Sequence, residues 1–230
     1  KIVGGGLLNI FDIIGPVMIG PSSSHTAGAV RMGNLAKNIL GEEPTEAQIV
    51  LFNSFSKTGK GHGTDKALVA GILGLSTDDD GIKESFEIAQ KKGIEVDLVF
   101  GNTHPEFPPN TAKFTLKGKN NSTVVIGSSV GGGRVIIFAI NGFSTEFSGE
   151  FNTIITIHDD RPGVIARVAS FLAEKSINIA QMKVSRESRG KTALMVIEVD
   201  EEIPEGLESA LSNINHVQRA MIIKSVLGGV

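Results

Sequence analysis

The chain has 230 residues, 40% hydrophobic and 20% charged, which is enough for one large or two ordinary domains, each with its own core. Lys and Arg number 22 against 25 Asp and Glu, a formal net charge of -3; no long-range field gathers polyanions, no basic run makes a local patch, and no nucleic-acid partner is expected. The sequence contains no cysteine, which excludes disulfides, thiol nucleophiles and any cluster held by this chain's own thiolates, but leaves a partner's thiolates open.

An apolar segment over 11–19, broken by Gly15-Pro16, runs into Gly20-Pro21-Ser22-Ser23-Ser24-His25-Thr26-Ala27-Gly28. Ala29, Met32, Gly33, Ala36, Ile39 and Leu40 then recur at three and four, which predicts a helix over 24–40 ending at Gly41, with the serine run at its N-terminus. Residues 48–55 read as a strand, 59–63 as a glycine-rich loop, and 64–75 as a helix capped near Thr64 or Asp65. A helix over 82–91, a strand over 94–100, a loop with Pro105, Pro108 and Pro109, and a strand over 111–116 follow; 123–128 and 134–140 read as paired strands around Gly131-Gly132-Gly133. No apolar stretch approaches the roughly 20 residues of a membrane-spanning helix, and no basic stretch precedes an apolar one at the start. No membrane partner is expected, and the expected location is cytoplasmic.

From Phe151 the pattern changes to strand 151–157, helix 162–174, strands 177–185 and 191–199, helix 204–213 and strand 217–224, the βαββαβ order of a ferredoxin-like unit. Val164, Ile165, Val168, Phe171 and Leu172 form the apolar stripe of its first helix, and Pro162 suits the first turn. With 141–150 as linker, the fold class is α+β: a mixed α/β domain over 1–149 and a ferredoxin-like domain over 150–230, divided near Gly149.

Three serine hydroxyls, an imidazole and free amides at a helix start suit a carboxylate or phosphate, so 22–28 is a candidate anion site; ordinary capping is the competing reading. Lys60-Gly61-His62-Gly63-Thr64-Asp65-Lys66 repeats the design, without the spacing of a Walker loop; a tight turn is its alternative. If the two stretches converge, two imidazoles face one small anion with acid-base groups suited to neutral pH. Gly131-Gly132-Gly133 is either a flexible hairpin or a close approach to a ligand. His104, His158 and His216 read as isolated, in surface or structural roles, and no compact ligand spacing points to a metal held by this chain alone.

The stretch from Phe11 to Gly28, Gly61-His62-Gly63-Thr64-Asp65 and Ser129-Val130-Gly131-Gly132-Gly133 together resemble the beta chain of bacterial iron-sulfur L-serine dehydratases, over nearly the whole chain. The resemblance implies a two-chain lyase of amino-acid catabolism that converts L-serine to pyruvate and ammonia. A cysteine-bearing alpha subunit would ligate a [4Fe-4S] cluster whose open iron acts on the substrate hydroxyl, without pyridoxal phosphate. It implies catalytic roles for Ser24, His25, Thr26 and His62, with His25 leading for proton transfer, and substrate contacts from Ser22, Ser23, Gly61, Gly63, Thr64, Asp65, Asn110, Thr111, Gly131 and Gly132. The family's His-Pro-Asn-Thr turn stands here as Pro108-Pro109-Asn110-Thr111, with His104 displaced upstream, so His104 is held in reserve.

His158-Asp159-Asp160-Arg161-Pro162-Gly163-Val164 and Ser176-Ile177-Asn178-Ile179-Ala180 make the second unit resemble an ACT domain, similar to that of phosphoglycerate dehydrogenase, whose allosteric substrate-binding domain the first unit also resembles. Effector contacts are implied at Asp160, Gly163, Val164, Asn178 and Ile179, from pairs of units; a plain dimerisation module is the alternative. The resemblance allows a homodimer through both domains. A regulatory amino-acid sensor competes with the enzyme reading, and a self-sufficient metal hydrolase conflicts with the missing ligand spacing.

Overall fold

The structure, a computed structural model, describes residues 17–225, so the part of the first apolar segment before Val17 lies outside the described residues. A π-helical turn, Ser23–Ala27, leads into α1 (Gly28–Leu40), which stops at Gly41 in the left-handed conformation (φ 78°) with its amide bonded to the Lys37 carbonyl. Then come β1 (Glu46–Leu51), α2 (Asn53–His62), α3 (Thr64–Ile72), a 3-10 turn (Asp80–Glu84), α4 (Ser85–Lys91) and β2 (Glu95–Phe100). An antiparallel run follows of β3 (Thr111–Lys117), β4 (Ser122–Gly131), β5 (Arg134–Ile140) and β6 (Phe143–Phe147). The sheet order is β2-β1-β3-β4-β5-β6, with β1 and β2 parallel across the helical crossover.

Four expectations for this half are corrected. The strand read over 48–55 ends at Leu51, and the glycine-rich loop expected over 59–63 is the last turn of α2, so Gly61 and His62 sit on a helix and the chain breaks at Gly63 (φ 67°). Glycine costs about 1 kcal/mol against alanine in a helix, which is why the pattern predicts a loop here. Gly59 is instead a packing residue: a Cβ there would stand 3.2 Å from Leu51 Cδ2 and 3.5 Å from Thr64 Cβ. The linker over 141–150 contains β6, joined to β5 by Asn141-Gly142 with φ 50° and 84°, a two-residue turn that an Asn-Gly pair favours. The helix over 82–91 begins as the 3-10 turn.

The second half is β7 (Asn152–Asp159), α5 (Val164–Glu174), β8 (Ile179–Arg186), β9 (Thr192–Val199), α6 (Leu207–Ser212) and β10 (Val217–Ile223), with an antiparallel sheet ordered β10-β7-β9-β8. This is the expected βαββαβ unit. Helix α5 starts at Val164 after a left-handed Gly163 (φ 86°), so Pro162 lies before its first turn; Val164, Val168 and Leu172 are buried, while Ile165 is 43% exposed.

Alternation along the strands divides the second sheet between two cores. Ile154, Met195, Ile197 and Ala220 face α5 and α6, whereas Ile155, Leu194, Val196, Met221 and Ile223 join the core built on α1 and the first sheet. Strand β9 is buried along almost its whole length, as a strand covered on both faces must be. Arg219 reinforces the junction, donating from Nη2 to the Leu40 carbonyl at 2.7 Å.

Helices α1 and α3 touch backbone to backbone. A Cβ on Gly33 would lie 2.6 Å from the Leu68 carbonyl oxygen and 2.8 Å from Gly71 Cα, and one on Gly71 would strike the Val30 carbonyl. Asn34 Nδ2 donates to the Leu75 carbonyl at 2.8 Å, so the pairs Val30–Gly71 and Asn34–Leu75 advance together and the helices run the same way with their N-termini side by side. Gly71→Ala therefore forces rigid backbone apart, and urea unfolding is expected to show a loss of about 1–3 kcal/mol. Gly61→Ala, whose Cβ meets nothing within 4 Å, is expected to leave stability unchanged or raise it by up to about 1 kcal/mol; equal effects of the two would contradict the packing assignment.

Candidate active site

The π-turn opens on Ser22, whose extended backbone (φ -145°) lets its Oγ accept the His25 amide at 3.2 Å, while the Thr26 amide bonds the Ser22 carbonyl at 2.8 Å. Ser23 and Ser24 occupy the first turn, where amides have no acceptor within the helix. The extra residue of a π-turn is a strain that recurs at functional sites. Here it brings His25 over α2: Nε2 lies 3.0 Å from Thr58 Oγ1, the ring meets Phe55 edge-on at 5.2 Å between centroids, and the His62 ring stands at 4.8 Å. The two stretches singled out in the sequence thus form one locus, half-buried at His25 and open at His62. His62 Nδ1 is held by the Thr58 carbonyl at 3.0 Å.

Around this pair lie buried hydroxyls. Among the described residues, Thr26 Oγ1, Thr64 Oγ1 and Ser129 Oγ have no hydrogen-bond partner. Leaving a buried hydroxyl unpaired costs about 1–3 kcal/mol, so three in one region are a departure that calls for a reason. Gly28 admits Ser129 against the start of α1, since a Cβ there would overlap the serine hydroxyl. Asn110 and Ser129 bond reciprocally, Ser129 amide to Asn110 carbonyl at 3.0 Å and Asn110 Nδ2 to Ser129 carbonyl at 3.3 Å, so Asn110 reaches the site region through β4. Thr111 is buried with its hydroxyl donating to the Pro108 carbonyl at 2.8 Å, a structural bond.

Gly131, Gly132 and Gly133 all have positive φ (102°, 60° and 77°), so the β4–β5 turn needs glycine for its backbone alone; Arg31 of α1 anchors it, donating to the Gly133 carbonyl at 3.0 Å. Asp65 lies in the first turn of α3, and Gly61 and Gly63 present open backbone.

His104, held in reserve, stacks on Phe107 at 4.0 Å between centroids and lines an open cleft of about 370 Å³ with Asn53, Lys57, Thr58, Thr103 and Phe107. Its Nδ1 is buried without a partner among the described residues. Asn53, in a left-handed conformation (φ 55°), fixes the loop by accepting the His104 amide at 2.8 Å and donating to the Phe107 carbonyl at 2.7 Å. The displaced histidine therefore lines the same cleft as Thr58, the residue bonded to His25. Thr58 and Asn53 carried no mark in the sequence; Asn before a helix reads only as a cap.

In the second unit, Gly163 and Val164 stand at the start of α5, and Asn178 and Ile179 follow its far end, about 16 Å away at 1.5 Å per residue for an 11-residue helix. One chain does not bring together the residues expected to contact an effector. The Asp160 carboxylate is engaged by the Gly190 amide at 2.9 Å and Arg186 at 3.4 Å, the first of which mainly lowers its pKa. His158 and His216 are not isolated: His216 Nδ1 pairs with Asp159 Oδ2 at 2.9 Å, and His158, fully buried, bonds the Asp159 carbonyl through Nδ1 at 2.9 Å.

The fold and site together define a two-unit α+β protein in which a hydroxyl-rich helix start faces a pair of imidazoles, backed by a ferredoxin-like unit. The profile of the serine dehydratase beta chain family matches residues 9–138 and that of the ACT domain residues 152–216. The probable L-serine dehydratase beta chain of Bacillus subtilis (strain 168) is 44% identical over 209 residues, 91% of this chain and 94% of that one. The L-serine dehydratase beta chain of Peptoniphilus asaccharolyticus is 38% identical over 215 residues, 93% and 97% respectively. The chain belongs to the serine dehydratase beta chain family and ends in an ACT domain. The D-3-phosphoglycerate dehydrogenase of Bacillus subtilis (strain 168) is 24% identical over 197 residues, 85% of this chain and 37% of its own length, a likeness that reaches well beyond the ACT unit.

Burial first, and then the neighbouring His62, hold the His25 imidazole below its ordinary value of 6.5. Folding thus disfavours its protonated form. As pH falls through about 6.5, the unfolded chain takes up a proton that the folded chain resists, so stability is lost on the acid side and unaffected well above it. Urea unfolding between about pH 7.5 and 5 is expected to show a steeper acid loss in the parent than in His25→Gln; identical slopes would remove His25 as the cause.

Proposed function

We propose that the chain is the beta subunit of a two-chain L-serine dehydratase that converts L-serine to pyruvate and ammonia, residues 1–149 forming its half of the active site and residues 150–230 the ACT unit. The observation that carries this is the His25–His62 pair, 4.8 Å apart at a serine-lined helix start, in a chain of this family. The first-turn amides with the Ser22, Ser23 and Ser24 hydroxyls receive the substrate carboxylate, where the helix dipole favours negative charge. A base must take the α-proton as the β-hydroxyl departs with a proton, and the resulting enamine hydrolyses to the keto acid and ammonia. His25, neutral at physiological pH because it is half-buried beside another imidazole, suits the base, and His62 suits the second proton position.

The residues present do not fit a role as holders of the family's [4Fe-4S] cluster. The chain has no cysteine, and the described residues contain no group of three or more His, Cys, Asp or Glu placed to hold a metal. The cluster is assigned to cysteines of an alpha subunit, and no step here is routed through it. The open side of the site at Thr58 and His62 suits closure by that second chain. No helix among the described residues is long and apolar enough to cross a membrane.

The likeness to phosphoglycerate dehydrogenases favours a second reading, a non-catalytic amino-acid sensor. One variant separates them. In enzyme assembled with its alpha partner, His25→Ala is expected to lower kcat for pyruvate release by about 10²–10⁴-fold, whereas a sensor would keep its partner's turnover and lose only its effector response. Ser24→Ala is expected to raise KM more than it lowers kcat; an unchanged KM would remove Ser24 from the carboxylate site.

A further inference from the structure

We propose that Thr58 is a positioning residue that sets the tautomers of both active-site histidines, its hydroxyl acting on His25 and its carbonyl on His62, so that His25 Nδ1 and His62 Nε2 are the free basic nitrogens. The inference deepens the active-site reading above and rests on it only for its catalytic consequence.

A threonine hydroxyl has one proton, and Thr58 Oγ1 donates it to the Ser54 carbonyl, one helical turn back, at 2.9 Å. A carbonyl oxygen only accepts. The contact of 3.0 Å between Thr58 Oγ1 and His25 Nε2 is therefore a bond only when Nε2 carries the hydrogen, which leaves Nδ1 with its lone pair. Nδ1 faces Ser22 Oγ at 3.4 Å, and because that oxygen already accepts the His25 amide, its own proton is free to point at Nδ1. The basic nitrogen thus looks toward the serine-lined turn, where a carboxylate would dock.

For His62 the donor is fixed by the same residue. Its Nδ1 stands 3.0 Å from the Thr58 carbonyl, which can only accept, so neutral His62 holds its hydrogen on Nδ1 and its lone pair on Nε2. The two rings are 4.8 Å apart and in opposite tautomers, a difference that chain chemistry does not impose, since free neutral histidine prefers hydrogen on Nε2. Thr58 lies on α2 between Phe55, which packs on the His25 ring, and His62, four residues on; one turn of one helix therefore controls both bases. In orienting a base through a third group it follows the logic of a nucleophile–base–orienter chain without touching substrate.

The test uses the isolated full chain with 15N-labelled histidine, read by two-bond 1H–15N spectra across a pH series up to about pH 8. The expected spectra show His25 as the Nε2–H form and His62 as the Nδ1–H form. Thr58→Val keeps the shape and the carbonyl, so it should release His25 into a tautomer mixture while leaving His62 as it was, and Thr58→Ser should restore His25. A His25 signal unaltered by Thr58→Val, or His62 found as Nε2–H in the parent, overturns the proposal. In enzyme assembled with its alpha partner, Thr58→Val is expected to lower kcat about tenfold or more and Thr58→Ser to recover most of it. A tautomer change without a turnover change upholds Thr58 as the positioning residue and refutes the active-site reading instead.

Discussion

The contact between Gly33 and Gly71 is the constraint on which the rest of the structure depends. Only because neither residue has a Cβ do α1 and α3 run with backbones touching, and only because they run the same way do their N-termini share one end of the first unit. That end carries the π-turn on one helix and the His62-Gly63-Thr64 break on the other. A side chain of any size at the crossing would separate the two histidines by moving whole helices, since close-packed interiors pass strain on rather than absorb it.

The same α1 forms the wall between the two halves. Its Met32, Leu35, Ala36 and Ile39 are buried in a core that also takes the second face of the ACT sheet, through Ile155, Leu194, Val196, Met221 and Ile223. Fully burying a side chain of this size is worth about 1.5–3 kcal/mol, so the junction is held mainly by hydrophobic burial, with polar contacts such as the Arg219 bond added to it. The ACT unit is thus packed onto the helix that continues from the turn carrying Ser22 to Thr26, and the residues expected to contact an effector lie toward opposite ends of α5.

What the site offers is placement more than reactivity. Hydroxyls, first-turn amides and two oriented imidazoles suit binding a small carboxylate and moving protons, and the chain has no cysteine to supply a thiolate for iron. The proposed division of labour, with this chain positioning substrate and moving protons and a partner chain holding the metal, accords with that donor set.

The sequence by itself determined the element types of the ACT unit, the apolar face of α1 and the candidate status of Ser22 to Thr26 and His62, because these rest on local periodicity and on the chemistry of particular side chains. The Asn141-Gly142 hairpin was also written there and was read past as a linker. Only the tertiary structure decided that Gly59 and Gly61 belong to a helix, that His25 and His62 meet, that His104 reaches the cleft beside Thr58, and that Thr58 orients both rings. The reason is physical: a glycine that allows a turn and one that allows close packing are the same residue in sequence, and a hydrogen bond between positions 33 residues apart, such as His25 to Thr58, leaves no periodic trace along the chain.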